Sequence, residues 1–116
     1  MLDEGLAMAR RLHPGDHPKV AVALNTAAAA RRDSDLCNEA VPLLREAVAM
    51  YERAAGMGAP YANCLSNLAV CLYRLGITDE AKVTIDRAVA ILGTVERVDP
   101  ALKERIMARV REVNGG

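Results

Sequence analysis

The sequence predicts an all-α fold of about six helices, paired into antiparallel hairpins that stack as a short α-solenoid. Apolar residues recur at helical spacing along almost all of the 116 residues, and no stretch alternates apolar and polar residues between turns. The chain has three Tyr, no Phe and no Trp, so Ala, Val, Leu, Ile and Met must form the core, which suits helix packing better than sheet packing. The segment "NEAVPLLREAVAM" at 38–50 also recurs as "DEAKVTIDRAVAI" at 79–91, which indicates a repeated helix pair.

Breakers divide the helical pattern into six segments, at 2–13, 17–32, 36–55, 60–75, 78–94 and 100–113. The first break is "HPGDHP", where Asp16 or His17 can cap the second helix and Pro18 occupies its first position. A proline there costs little, because the first N–H groups of a helix have no partner within the helix.

The third helix is preceded by "RDSD", in which Ser34 or Asp35 is expected to be the N-cap. Pro42 lies inside this helix. Because it is close to the first turn, we expect the helix to start loosely near Asn38 rather than to break at Pro42.

Each of the last three helices has its own boundary signals. The loop "GMGAP" leads into the fourth helix near Pro60, and Gly76 is expected to end that helix. Thr78 is expected to cap the fifth helix, and "RVDP" places Pro100 at the start of the sixth.

The repeat extends beyond the two alanine-rich segments, since "LNTAA" at 24–28 is matched 41 residues later by "LSNLA" at 65–69. Each helix pair is expected to bury its apolar face against the next pair. The shared alanines then mark close approaches of helix backbones, where a larger side chain is expected to cost roughly 1–3 kcal/mol through overpacking. These alanines are Ala28, Ala40 and Ala47 in one unit and Ala69, Ala81 and Ala88 in the other.

The stretch "HPKVAVALNTAAAARRDSDLCNEAVPLLREAVAMYERA" resembles a tetratricopeptide repeat (TPR) of the longer kind found in kinesin light chains, and "LSNLAVCLYRLGITDEAKVTIDRAVAIL" resembles a second unit. The similarity rests on the spacing of small residues. Where the family usually has an apolar residue and a glycine, the first unit has Arg31 and Asp35. The resemblance implies a single TPR-like, right-handed solenoid domain over 1–116, with a half repeat, two repeats and a capping helix at 1–13, 17–55, 59–95 and 99–113.

The resemblance also implies a binding surface, because the first helices of such units line a concave groove that holds a peptide or a partner helix. Asn25, Asn63 and Ser66 offer hydrogen bonds to a peptide backbone there, and Arg32 and Arg74 can pair with carboxylates. The carboxylate clamp of chaperone-binding members is not supplied, so a chaperone tail is not the expected ligand. The same side chains can equally be ordinary polar residues of a solvated face. The suspected partner-binding residues are Val22, Asn25, Ala29, Arg32, Asp33, Asn63, Ser66, Val70, Tyr73 and Arg74.

We therefore expect a non-enzymatic protein–protein interaction module that binds a peptide or protein segment. One alternative is an oligomerisation or spacer segment, and another is a regulatory TPR arm of a larger protein. An apolar stripe on the first helix suggests where two copies would associate into a homo-oligomer. Its members are Leu2, Leu6, Met8, Ala9 and Leu12.

No motif predicts catalysis, a cofactor or a metal, since the chain has no Gly-rich phosphate loop, no H-E-x-x-H and no G-x-S-x-G. His13 and His17, which flank Asp16, are metal-ligand types, but a structural turn is the favoured interpretation. Cys64 and Cys71 share a helix face, and we expect buried thiols that pack as small hydrophobes.

Charge and cysteine content limit the expected partners and the expected cellular compartment. Fifteen basic residues balance fifteen acidic ones, so we expect neither nucleic acid nor a membrane as partner. No run reaches the roughly 18 apolar residues of a spanning helix. Three cysteines without a C-x-x-C pair fit a reducing, cytoplasmic setting.

The sixth helix is amphipathic, with an apolar side and a basic remainder. A basic helix of this type can bind membranes or acidic partners. A solvated capping helix that closes the array is the favoured interpretation. The apolar side carries Leu102, Ile106, Val110 and Val113, and the basic residues are Lys103, Arg105, Arg109 and Arg111.

Overall fold

The computed structural model describes residues 4–115, which form six α-helices and no β-strand. The helices are α1 (Glu4–Leu12), α2 (Pro18–Asp33), α3 (Cys37–Met50), α4 (Ala59–Arg74), α5 (Thr78–Gly93) and α6 (Pro100–Val113). The all-α fold class is therefore confirmed. The third helix departs from the prediction, because after Met50 it continues as a π-helical turn, Tyr51–Ala55. The predicted start of the first helix at residue 2 lies outside the described residues.

The helices form two layers. Short connections at 34–36 and 75–77 pair α2 with α3 and α4 with α5 as hairpins. In the first-helix layer (α2, α4 and α6), α2 packs on α4 and α4 packs on α6. In the second-helix layer (α1, α3 and α5), Arg10 pairs with Glu46 at 3.0 Å and Arg45 pairs with Glu80 at 2.7 Å, so long side chains bridge successive helices. This arrangement is a short helical solenoid.

Small residues are fully buried between the helices. The larger core residues around them are mostly aliphatic, among them Leu24, Leu44, Leu72 and Ile85. The prediction that the shared alanines are packing positions is confirmed, because each is 0% exposed. They are Ala28, Ala40, Ala47, Ala69, Ala81 and Ala88.

The two helices α2 and α4 end in the same type of turn. In each turn a backbone N–H donates to the carbonyl five residues earlier, at 2.8 Å from Leu36 and 2.9 Å from Ile77. The residue in the left-handed conformation is Asp35 (φ 60°) in the first turn and Gly76 (φ 82°) in the second. Gly76 therefore ends its helix as predicted, and Asp35 adopts the glycine conformation without being glycine.

The predicted helix caps are confirmed in one case and wrong in two. His17 caps α2, because its Nδ1 accepts a hydrogen bond from the N–H of Lys19 at 3.1 Å. Neither Ser34 nor Asp35 caps α3, since both belong to the turn that ends α2. Thr78 is the first residue of α5 rather than its cap.

Pro42 does not break α3, as predicted. The helix begins at Cys37 and runs to Met50 around the proline. Pro42 is exposed, and so is Asn38, whose carbonyl loses its helical donor.

Candidate interaction surface

The ten suspected partner-binding residues lie on α2 and α4, in the first-helix layer. Four of them line one cavity; of the other six, three make side-chain hydrogen bonds within the layer and three make none. These groups are, in order, Arg32, Asp33, Val70 and Arg74; Asn25, Asn63 and Ser66; and Val22, Ala29 and Tyr73.

α6 covers the α4 part of this surface. Ser66 is 0% exposed and Val70 is 1% exposed. Asn25 and Ala29 occupy the same positions one repeat earlier, and both are only half-buried. A partner that touched Ser66 or Val70 would have to displace α6, whereas the α2 part is open and presents Val22 at 52% exposure.

A buried amide links α2 to α4. Asn67 is 2% exposed, and its Nδ2 donates to Asn25 Oδ1 at 2.9 Å. Its Oδ1 accepts a hydrogen bond from Arg32 Nη1. Both ends of the amide are therefore satisfied, as a buried polar group requires. The sequence prediction omitted Asn67, although it lies at the centre of the repeated segment "LSNLA".

Arg109 of α6 turns back toward α4. Its Nη1 donates to Asn63 Oδ1 at 2.6 Å and to Ser66 Oγ at 2.9 Å. The interpretation of Arg109 as part of a solvated face is therefore wrong, because the residue is half-buried against two neutral acceptors. The apolar side of α6 is confirmed, since Ile106 and Val113 are 0% and 1% exposed.

A two-bond ion pair also joins α4 to α6. Arg74 donates from Nε and Nη2 to the Glu112 carboxylate, at 2.8 and 3.0 Å. These bonds raise the pKa of Arg74 and lower the pKa of Glu112. Both side chains are partly solvated, so the pair orients α6 more than it stabilises the fold.

A cavity of about 260 Å³ opens where the ends of α2 and α4 meet α6. Its charges are four arginines and two carboxylates, an excess of two positive charges in a chain of zero formal net charge. Burial and the positive charges of Arg32 and Arg105 lower the pKa of Arg109 to about 10, while Asp33 opposes the shift. The cavity residues are Arg32, Asp33, Val70, Arg74, Arg105, Ala108, Arg109 and Glu112.

Comparison with protein families identifies the central hairpin. Residues 20–59 match the model of the tetratricopeptide repeat, and this range contains most of α2, all of α3 and the π-helical turn. Residues 20–59 of the chain therefore form one matched tetratricopeptide repeat. TPR proteins are generally interaction modules that bind proteins or peptides and are not enzymes. Comparison with curated proteins finds none that matches the chain.

The histidine loop before the matched TPR has structural contacts. His13 stacks on His17 with ring centroids 4.0 Å apart, and His17 is the cap of α2. Asp16 accepts two hydrogen bonds from Arg53, at 2.7 and 2.8 Å. Across residues 4–115, no three His, Cys, Asp or Glu side chains are grouped so that they could hold a metal ion.

The three cysteines are free and buried, as expected for Cys64 and Cys71. Burial raises the pKa of both thiols to about 12, so they are neutral at physiological pH. The sequence did not show that Cys71 of α4 meets Cys37 of α3, with the two Sγ atoms 3.0 Å apart. Within the described residues, no helix is both long and apolar enough to span a bilayer.

Proposed function

We propose that this TPR chain is a non-enzymatic module that holds an extended peptide or protein segment along α2, with one end of the segment at the cavity beside α6. The observation that carries the proposal is the unequal cover of the first-helix layer. α6 closes the surface over α4 but leaves the equivalent positions of α2 accessible.

The open face of α2 offers contacts of the kinds that a peptide needs. Val22 is an exposed apolar side chain, and Ala29 leaves room for a backbone to approach. Asn25 uses its Oδ1 for Asn67, and its Nδ2 makes no hydrogen bond within the described residues, so it is free to donate to a peptide carbonyl. Asp33 is exposed at the end of this row, next to the cavity.

The test is selection from a random peptide library displayed on phage, followed by binding assays with the selected peptides. Val22→Lys places a charge on the proposed path, and Val83→Lys places the same charge on α5, where Val83 is 70% exposed. We expect Val22→Lys to weaken binding about tenfold or more, which is 1.4 kcal/mol or more. Val83→Lys should leave binding unchanged. Selected peptides that bind the Val22→Lys variant normally but no longer bind the Val83→Lys variant would contradict the proposed surface.

A second candidate function is self-association, and the observation in its favour is on α1. Met8 and Leu12 are 52% and 66% exposed. Leu6 and Ala9, from the same predicted stripe, face the core instead, and Leu2 lies outside the described residues. Sedimentation at high concentration tests this, because Met8→Lys with Leu12→Lys should convert an associating wild type to a monomer. A wild type that sediments as a monomer would exclude association.

We also propose a cytoplasmic setting and a protein or peptide partner in preference to nucleic acid or membrane. The free cysteines support a reducing compartment. The zero formal net charge supplies no long-range attraction for nucleic acid. The division into a half repeat, two repeats and a capping helix stays a prediction.

A further inference from the structure

The cavity beside α6 gathers more positive charge than its own carboxylates neutralise. Arg74 is paired with Glu112, and Arg32 with Asp33 at 3.1 Å. Arg105 makes no hydrogen bond or ion pair within the described residues, and Arg109 bonds only to neutral oxygens. The two uncompensated charges of the cavity are therefore those of Arg105 and Arg109.

These two charges lie where they repel each other. Each occupies the same face of α6 one turn apart, and both line the cavity. Arg109 is half-buried, so the repulsion from Arg105 and Arg32 is screened less than it would be at the surface. Such a group of like charges is stabilised when an anion with two charges enters it.

Arginines with unused donors line this space from two helices, α4 and α6. Within residues 4–115, no acceptor is bound by Nε and Nη2 of Arg109, by Nη1 of Arg74 or by any part of the Arg105 guanidinium. Donors on several sides match the three acceptor oxygens of a phosphate monoester better than the two coplanar oxygens of one carboxylate. A phosphate monoester also carries about −1.5 to −2 charges near pH 7, which matches the excess of two positive charges in the cavity.

We propose that the cavity is a phosphate-monoester site that receives a phosphorylated serine or threonine of the segment bound along α2. The inference rests on the proposed function, because the segment supplies the phosphoryl group. Arg105 and Arg109 bind the phosphoryl oxygens directly, and Arg74 contributes one further donor while it stays paired with Glu112. Free inorganic phosphate has the same chemistry and is the other possible source.

The first experiment titrates inorganic phosphate into the full chain at constant ionic strength and follows the thermal midpoint and the arginine side-chain NMR signals. We expect saturable binding that shifts the Arg105 and Arg109 signals and weakens as the pH falls below about 6, where the dianion takes up a proton. Arg105→Gln should weaken binding about tenfold. Arg97→Gln is the matched control, because Arg97 is exposed and lies outside the cavity.

Arg105→Gln is preferred to Arg109→Gln because Arg109 also holds Asn63 and Ser66, so its replacement disturbs the packing of α6. The Arg105 variant should unfold at the wild-type midpoint in the absence of phosphate. Phosphate binding that is absent, or that falls equally in the Arg97 and Arg105 variants, would overturn the site.

The second experiment compares three random peptide libraries that differ only at a central position, which is phosphoserine, serine or glutamate. We expect selection from the phosphoserine library alone, with the preference lost in Arg105→Gln. Phosphate binding without any phosphoserine preference would overturn the peptide source and assign the site to free phosphate.

The two proposals can also fail separately. If all three libraries bind equally, and binding is weakened by Val22→Lys but not by Arg105→Gln, the phosphate inference is overturned and the proposed function stands. Saturable phosphate binding with no peptide bound from any library would overturn the proposed function and the peptide source together, and would leave a site for free phosphate.

Discussion

The turn at Asp35 allows a reciprocal test of how much stability is lost when a residue other than glycine adopts the left-handed conformation. Asp35 and Gly76 adopt the same conformation in equivalent turns, with φ values of 60° and 82°. Asp35→Gly should stabilise the chain, and Gly76→Asp should destabilise it. A Cβ at Gly76 would have no heavy atom within 4 Å, so the cost there is conformational and not steric.

The magnitude follows from two opposing terms. A left-handed backbone costs an L-residue roughly 1–2 kcal/mol, and Asp tolerates it better than most. Glycine loses roughly 0.5–1 kcal/mol more conformational entropy on folding than other residues. The difference is about 0.5–1 kcal/mol, in favour of glycine at both positions. The charge of Asp35 adds little, because it lies between the negative end of α2 and the positive start of α3.

Urea unfolding of the wild type, Asp35→Gly, Asp35→Asn and Gly76→Asp measures these differences. We expect unfolding free energies to rise by about 0.5–1 kcal/mol for Asp35→Gly and to fall by the same amount for Gly76→Asp. Asp35→Asn removes the charge but keeps a side chain and should change little. The reasoning is refuted if Asp35→Gly destabilises the chain, or if Asp35→Asn gives the whole gain.

Three further predictions concern packing, pH and thiol reactivity. Ala40→Leu should lower the free energy of unfolding by roughly 1–3 kcal/mol through overpacking, measured in urea, and an unchanged value would show that the backbones are not in close contact. Because the ion pair with Arg74 lowers the pKa of Glu112 in the folded state, the pair stabilises the fold above the unfolded pKa, and this stabilisation is lost as pH falls below about 4.5. Glu112→Gln should therefore lose less unfolding free energy than wild type when urea titrations are repeated in acid. Identical losses in the two proteins would exclude this linkage. Cys64 and Cys71, whose pKa values are raised to about 12, should react with a thiol reagent at mildly alkaline pH only as fast as the fold opens, and reaction at the rate of denatured chain would contradict their burial.

The fold was predictable from the sequence because its determinants are local or repeat at a fixed spacing. Ala40 and Ala81 recur because two backbones approach there, and such an approach permits only a small side chain at each occurrence. Gly76 ends α4 through its own backbone freedom. The caps of α3 and α5 were harder to predict, since a short polar residue can either end one helix or begin the next.

The binding surface was only partly predictable. The resemblance to TPR units placed Arg32 and Arg74 on the first-helix layer, and both line the cavity. The α6 side of the cavity depends on the tilt of that helix, which the residue spacing within α6 does not predict. The four-residue spacing of Arg105 and Arg109 predicts that they share a helix face. Whether that face is exposed to solvent or contacts α4 depends on how Ile106 and its neighbours pack against α4 and α5. Asn67 was not predicted, because the residue type alone does not show whether an asparagine is buried or exposed.

The contacts within the second-helix layer are weaker than the contacts between the two layers, and this difference has a mechanical consequence. The second-helix layer is bridged by exposed arginine–glutamate pairs, which contribute about 0–1 kcal/mol each and weaken in salt. The alanine contacts between the layers are fully buried and resist compression. We therefore expect successive helix pairs to bend relative to each other at these buried alanine contacts, with the outer bridges opposing the motion. We therefore expect salt that loosens Arg10–Glu46 and Arg45–Glu80 to change the spacing between α2 and α4 without touching a residue of the first-helix layer.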